Sequence, residues 1–343
     1  MKKTTWISID PVDTLFFRGA ESMVAGENHE VDTMFPPMPT TIVGAIRTAI
    51  LCQNKIDPGF MKNEEAVIEG YPILGSKKEP GFDLIGPLLA IGDAVLLPAP
   101  AHWFAEKKPE ESHEWQQEYL VQAANPLPSD LPLAMAGSTA RPFWISKPVA
   151  PDMEPLSGWW VTASCFETVR KEQKVYFTDK ASDVKSDKPC VLPPTAFFAR
   201  EERLGIALTS ERAAKEGHLY TTVHVRLTEG VRVVVGVNTE HKLQLAATGI
   251  LQLGGEQRIC QYQVADAMEM PAMASDILMS LSPVAINDLP EKIRLCPRAS
   301  GKIFRVGGWD MAKEFHKPMT AWLPAGTAFH CPKDIQDHQY LRV

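Results

Sequence analysis

No apolar run in these 343 residues approaches the roughly 18 needed to cross a bilayer as a helix, so no membrane role is expected. The opening MKKTTWISID reaches Asp10 before any hydrophobic region forms, and does not read as a signal peptide. The six cysteines, Cys52, Cys165, Cys190, Cys260, Cys296 and Cys331, contain no CxxC and no Cys–His cluster. Neither structural zinc nor a disulfide framework is expected, and a reducing cytoplasm fits best. Nucleotide motifs fail as well. CPRASGKI places Cys296 where a P-loop needs its first glycine and Ile303 where it needs Ser or Thr. No GxGxxG follows a strand, and there is no GxSxG. GGWD at 307–310 has the glycine turn of polymerase palms, but Trp309 stands where a second metal-binding carboxylate is required.

These absences leave little chemistry. Nine histidines keep metal-free RNA cleavage with a histidine base open in principle, and His224 is the best candidate. A lone strand histidine is more often packed or merely polar. No catalysis, metal or cofactor is expected.

What is present is a globular composition. At 45% hydrophobic the chain can bury a full core, and its length suggests two domains, divided at 1–155 and 156–343. The net charge of −7 argues against a free-standing, sequence-blind nucleic-acid binder. Residues 1–150 carry the whole excess, and residues 151–343 are neutral. Within the neutral half, 291–305 holds Lys292, Arg294, Arg298, Lys302 and Arg305 against Glu291 alone. This basic strip is either a solvated face or a surface for an acidic partner.

TWISIDPVDTLFF reads as a strand with Ile7 and Ile9 on one face, ended by Pro11. FPPMP is extended, because each proline pushes its predecessor out of the α region. Thr40 or Thr41 is the expected cap of a helix whose apolar face is Ile42, Ala45, Ile46, Ala49 and Ile50, with Arg47 off that face. Gly44 inside it suggests a close approach. HWFAEKKPEESHEWQQEYL reads as an exposed insertion and NPLPSDLPL as a connector. Further on, RLGIAL is a strand, Ser210 is expected to cap a short helix over ERAAKE, and YTTVHVRLTEGVRVVVGV reads as a β-hairpin. SDILMSL suggests a short helix, and GKIFRVGGWD a strand and glycine turn. The fold class is α+β with mostly antiparallel strands.

Three places join glycine to arginine: Arg18-Gly19, LGGEQR with Arg258, and KIFRVGGWD with Lys302, Arg305, Gly307 and Gly308. Glycine exposes backbone N–H groups, arginine supplies a bidentate fork, and Trp309 offers a stacking face to an unpaired base. Each is equally a tight turn taken alone.

DTLFFRGAESMVAG…FPPMPTTIVGAIRTAIL, ERLGIALTSERAAKEGHLYTTVHVRL, LGGEQR and GKIFRVGGWD…KPMTAWLPAGTAF occur in this order. The set resembles the third-subunit family of the type III-B CRISPR effector (Cmr) module, in the RAMP superfamily. The resemblance spans nearly the whole chain and is weakest over about 55–155. It implies two ferredoxin-like (RRM-like) domains and a non-catalytic subunit. It also implies partners: the 5′ handle of a guide RNA, the large polymerase-like subunit and the first backbone RAMP subunit. Arg18, Gly19 and the proline ramp would then form a phosphate-binding loop, with Arg47 reaching the same region. The glycine-rich loop with which many RAMP proteins finish has no counterpart in HQYLRV, so either GGWD replaces it or the sequence is incomplete. The alternative within this superfamily is an endoribonuclease that processes precursor guide RNA.

Overall fold

The computed structural model describes residues 2–19, 30–31, 33–59, 67–76, 78–106, 117–127, 141–265, 268, 270–271, 275–310, 315–331 and 339–343. The stretch AESMVAG and most of NPLPSDLPL lie outside the described residues, as does the centre of the expected insertion. That insertion's flanks are paired strands, Trp103–Glu106 and Gln117–Ala123. The architecture is mixed α+β, rich in strands and mainly antiparallel. Two compact units form, each from three stretches of chain. The first is Met1–Pro87, Phe198–Ala267 and Arg305–Thr320, and the second is Leu88–Phe197, Met268–Phe304 and Ala321–Val343. The expected cut between residues 155 and 156 falls inside the second unit.

In the first unit, strand Lys3–Pro11 lies between Ile259–Ala265 and Val231–Thr239, antiparallel to both, with Ile7 opposite Val264 and Val235. Its central position buries both faces, so Ser8 is buried along with Ile7 and Ile9. Thr248–Gln252 extends this sheet beyond Ile259–Ala265. Helix Pro39–Gln53 packs on Thr248–Gln252 with Ile42, Ala45, Ile46, Ala49 and Ile50 all buried. Its cap is extended Met38, with no side-chain bond and Pro39 in the first turn, rather than Thr40 or Thr41. Proline's fixed φ already suits that position and lacks the N–H that a cap would satisfy. A Cβ on Gly44 would meet nothing within 4 Å, so the expected close approach is not there.

Phe198–Leu208 and Ala214–Leu227 form a long antiparallel hairpin, from Phe198 opposite Leu227 to Ile206 opposite Leu219. The expected helix over ERAAKE is instead the turn of this hairpin and the start of its second strand. Six residues form too few helical bonds to offset nucleation, and the facing strand offers a full ladder. Gly230, with φ +79, makes the expected turn after Leu227, but the strands on either side of it do not pair. Ala214–Leu227 pairs with Phe198–Leu208 and, in parallel, with Glu30–Val31, whereas Val231–Thr239 joins Lys3–Pro11.

The second unit contains a sheet ordered from the end of Asp83–Ile91 through Ala94–Pro98, Trp160–Thr162, Cys190–Leu192, Lys174–Phe177, Gln117–Ala123 and Trp103–Glu106 to Met153–Pro155. Helix Ser164–Arg170 packs on it through Phe166 and Val169. A four-stranded sheet runs Arg298–Ala299, Ala328–His330, Ile277–Ser280, Tyr340–Arg342. SDILMSL therefore supplies a strand, not a helix, and Ile277–Ser280 is buried throughout. The apolar run Ile277–Met279 is too short for its periodicity to separate the two. Beside this sheet Leu278, Leu289, Ile293, Phe329 and Tyr340 form a core, and there Cys296 and Cys331 are joined by a disulfide, Cα atoms 5.6 Å apart. The 35-residue separation left that pairing without any mark in the cysteine spacing.

Candidate nucleic-acid interface

The site grows from the exit of strand Lys3–Pro11 in the first unit. Thr14, Leu15, Phe16 and Phe17 are all buried. Leu15 exchanges both backbone hydrogen bonds with Val225 at 2.8 Å, tying the exit segment to the hairpin. The Phe16 carbonyl accepts from Gly255 N–H at 2.8 Å, tying it to the LGGEQR turn. That turn needs its glycines for space. Gly254 has φ +84, and a Cβ there would fall 2.4 Å from the Phe16 oxygen. One on Gly255 would lie 2.8 Å from the Phe16 ring. The glycines expected to admit a phosphate admit Phe16 and Phe17 instead. Three stretches carrying the family resemblance thus meet at one place.

A charged network covers this junction. Arg226 places Nη2 3.0 Å from Asp13 Oδ1 and Nε 2.8 Å from Glu201 Oε2. Arg203 reaches Asp13 at 3.2 Å and Glu201 at 2.9 Å. Arg258 reaches Glu256 at 2.6 Å and Asp13 at 3.5 Å. Partial burial would raise the Asp13 carboxyl, but hydrogen bonds from Arg203 and Arg226 outweigh it and hold the group below its ordinary value. Hydrogen bonds from Arg226 and Arg203 lower Glu201 likewise. Three arginines and three carboxylates balance, so the network offers no net charge to a polyanion.

His224 lies beneath it, fully buried and stacked on Phe16 with ring centroids 5.1 Å apart. Its Nδ1 is 3.1 Å from the Thr14 hydroxyl, and its Nε2 faces Glu256 at 3.6 Å, beyond hydrogen-bond reach. Burial lowers its pKa, opposed by the Glu256 charge. A histidine sealed from solvent cannot reach an RNA 2′-hydroxyl. Among the described residues no group of three His, Cys, Asp or Glu side chains could hold a metal, and no helix is long and apolar enough to cross a membrane.

The residues singled out in the sequence separate by environment. Arg47 is only 7% exposed, and its Nη2 donates to the Ser76 carbonyl at 2.6 Å. It points inward rather than toward a phosphate, because Ser76 supplies an acceptor beside the helix. Arg258 is held by Glu256 and Asp13. Arg18 is exposed, forms an isolated bridge with Thr33, and is followed by half-exposed Gly19. Lys302 and Arg305 are exposed too, Arg305 in the first unit and Lys302 in the second. Among the described residues none of these three forms an ion pair. Gly307 and Gly308 lead from strand Phe304–Val306 into the short strand Trp309–Asp310, which pairs with Phe315–His316. The Gly308 carbonyl accepts from Lys317 N–H at 2.8 Å. Asp13, Glu201, Arg203, Arg226 and Glu256 went unnoticed in the sequence. Glu201 and Arg203, like His224 and Arg226, stand two residues apart and so share a strand face, but nothing local pairs the two faces.

The fold is similar to that of chains in two cryo-EM structures of type III-B Cmr-beta. One is bound to cognate target RNA and AMPPnP, in state 1 (TM-score 0.53, 15% identity, 94% of this chain and 85% of that one). The other is bound to cognate target RNA (TM-score 0.52, 15% identity, 94% and 86%). At that identity the likeness is one of fold. No curated protein matches. The family model of the CRISPR-associated protein (Cas_Cmr3) matches residues 7–280, which include the strand exit, the hairpin and the Gly-Gly turn, and the chain belongs to that family.

Proposed function

We propose that this protein is a non-catalytic subunit of a type III-B CRISPR effector complex. It binds the 5′ handle of the guide RNA and caps the complex beside the large polymerase-like subunit and the first backbone RAMP subunit. Each of its two units uses a ferredoxin-like sheet-and-helix frame for this. Family membership supports the assembly role. The division among the cations singled out in the sequence supports the RNA role: Arg258 is committed to carboxylates and Arg47 is buried, whereas Arg18, Lys302 and Arg305 are exposed and open to phosphates. Gly307 and Gly308 add backbone donors beside Arg305, and Trp309 a stacking surface for a base.

The endoribonuclease reading has no such support, because His224, the best base in the sequence, is sealed inside the first unit. Metal-free incubation with repeat RNA separates the two: retention is expected, and specific cleavage would overturn the proposal. Reversing Arg18, Lys302 and Arg305 together to Glu should weaken handle binding strongly while circular dichroism stays unchanged. It should also flatten the salt dependence, by about 0.7 in log–log slope for each phosphate that is no longer neutralised. Unchanged affinity and slope in the triple variant would remove these residues from the interface.

A further inference from the structure

The basic segment and the one disulfide among the described residues coincide. Cys296 follows helix Glu291–Arg294 and precedes strand Arg298–Ala299, so in sequence it stands in the middle of the row Lys292, Arg294, Arg298 and Lys302. Its partner Cys331 directly follows strand Ala328–His330. Two different attachments hold the segment to this sheet. On the strand side they are backbone bonds: His330 N–H donates to the Pro297 carbonyl at 2.9 Å, and Arg298 pairs with Phe329. On the helix side there is a single turn, in which Ile293 and Arg294 N–H donate to the Pro290 carbonyl at 2.9 Å and Cys296 N–H donates to Ile293 at 3.0 Å. A four-residue helix has little stability of its own. The burial of Leu289 and Ile293, together with the sulfur bridge, keeps it in place.

We propose that Cys296 and Cys331 are a reversible dithiol/disulfide pair that, when oxidised, fastens the helical turn of the basic segment to the sheet and, when reduced, releases that turn alone. The two sulfurs are unequal in the way thiol exchange requires. Cys331 is buried and Cys296 half-buried, so an external reagent enters through Cys296. The thiolate is the attacking species. The oxidant is a low-molecular-weight disulfide. The Cys296 thiolate attacks one of its sulfurs and expels one thiolate, leaving a mixed disulfide on Cys296. The Cys331 thiolate then attacks the Cys296 sulfur, closes the bridge and expels the second thiolate. Two protein thiols and one small disulfide become one protein disulfide and two small thiols. Reduction by a dithiol runs the sequence backwards. The reduced thiol already has an acceptor in place, because Cys296 Sγ lies 3.2 Å from the Lys292 carbonyl. Exposed Cys52 is an internal comparison: it has no such partner and forms only a mixed disulfide.

The test equilibrates the full chain with oxidised glutathione or with dithiothreitol, alkylates it, and maps the peptides without reduction. The oxidised sample should contain a Cys296–Cys331 cross-linked peptide that is absent after dithiothreitol. Oxidation should raise the melting temperature by roughly 10 °C, as expected for closing a loop of this length in a unit of this size. The Cys296→Ser and Cys331→Ser variants should lose that difference. Hydrogen exchange should quicken on reduction in a peptide covering Ile293 to Cys296 and stay the same in one covering Phe329 and His330. Both cysteines alkylated after oxidation would overturn the proposal. A cross-link without any change in exchange at Ile293–Cys296 would overturn it too. Because the wild-type chain is compared with itself, the result stands even if a serine variant fails to fold.

Discussion

Asp13 and Arg226, 213 residues apart in sequence, meet at 3.0 Å, and the same carboxylate also reaches Arg203 and Arg258. One side chain at the exit of the first strand therefore holds the base of the hairpin and the Gly-Gly turn together. Exposed ion pairs are usually worth little, because water screens them and ordering two long side chains carries an entropy penalty. A network differs, since each arginine is already ordered by another carboxylate.

Asp13→Asn should accordingly destabilise the protein by about 1 kcal/mol, whereas Lys2→Gln, which removes the exposed pair with Asp83, should change stability by less than about 0.3 kcal/mol. Urea titrations of the three proteins at low and high salt decide the point. Equal, negligible effects would show that the Asp13 network is no stronger than the exposed Lys2–Asp83 pair.

Much of this local structure was legible in the sequence, and the physical reason differs from element to element. The helix over Pro39–Gln53 announces its buried face because five apolar residues recur at helical spacing. Arg47 breaks that logic: a guanidinium can be buried wherever a carbonyl such as that of Ser76 stands within reach, and no periodicity reports the carbonyl. The turn at Gly230 was also legible, but the partners of the strands beside it were not. Val231–Thr239 pairs with the first strand, more than two hundred residues earlier, and such choices depend on the whole core. The network on Asp13 and the disulfide of Cys296 with Cys331 share this long range. Each joins residues whose own neighbourhoods contain no sign of the other.

His224 gives a pH-dependent prediction. Burial lowers its pKa in the folded chain, with Glu256 and Glu201 opposing this and Arg258 and Arg203 adding to it. The unfolded chain therefore binds the proton more readily. The full stability that neutral His224 allows is present above the unfolded value of about 6.5, and it falls as the pH drops below that, until the folded value is passed. His224→Gln does not titrate, so its melting temperature should fall less than the wild type's between about pH 7.5 and about pH 5.5. The same variant should leave RNA cleavage by an assembled complex within a few-fold of wild type. Parallel melting curves would show that His224 is not the titrating group, and a loss of several orders of magnitude in cleavage would make it catalytic.

Gly254 provides the strictest check on the junction between the strand exit and the LGGEQR turn. Two penalties apply to an alanine there: the left-handed backbone at φ +84, and a Cβ only 2.4 Å from the Phe16 oxygen. Gly158 separates them, since it shares the conformation at φ +89 but has open space where a Cβ would lie. Gly158→Ala should therefore show backbone strain alone, about 1 kcal/mol. Gly254→Ala must also push the Phe16 segment away, which brings the total to roughly 3 kcal/mol. The displacement should reach further than stability, because Phe16 stacks on His224 and its carbonyl accepts from Gly255 N–H. Hydrogen exchange at Leu15 and Val225, whose amides bond to each other's carbonyls, should rise in Gly254→Ala and stay at the wild-type rate in Gly158→Ala. Equal losses of stability in the two variants, with protection at Leu15 intact, would mean that the turn needs glycine for its backbone angle and not for the approach of Phe16.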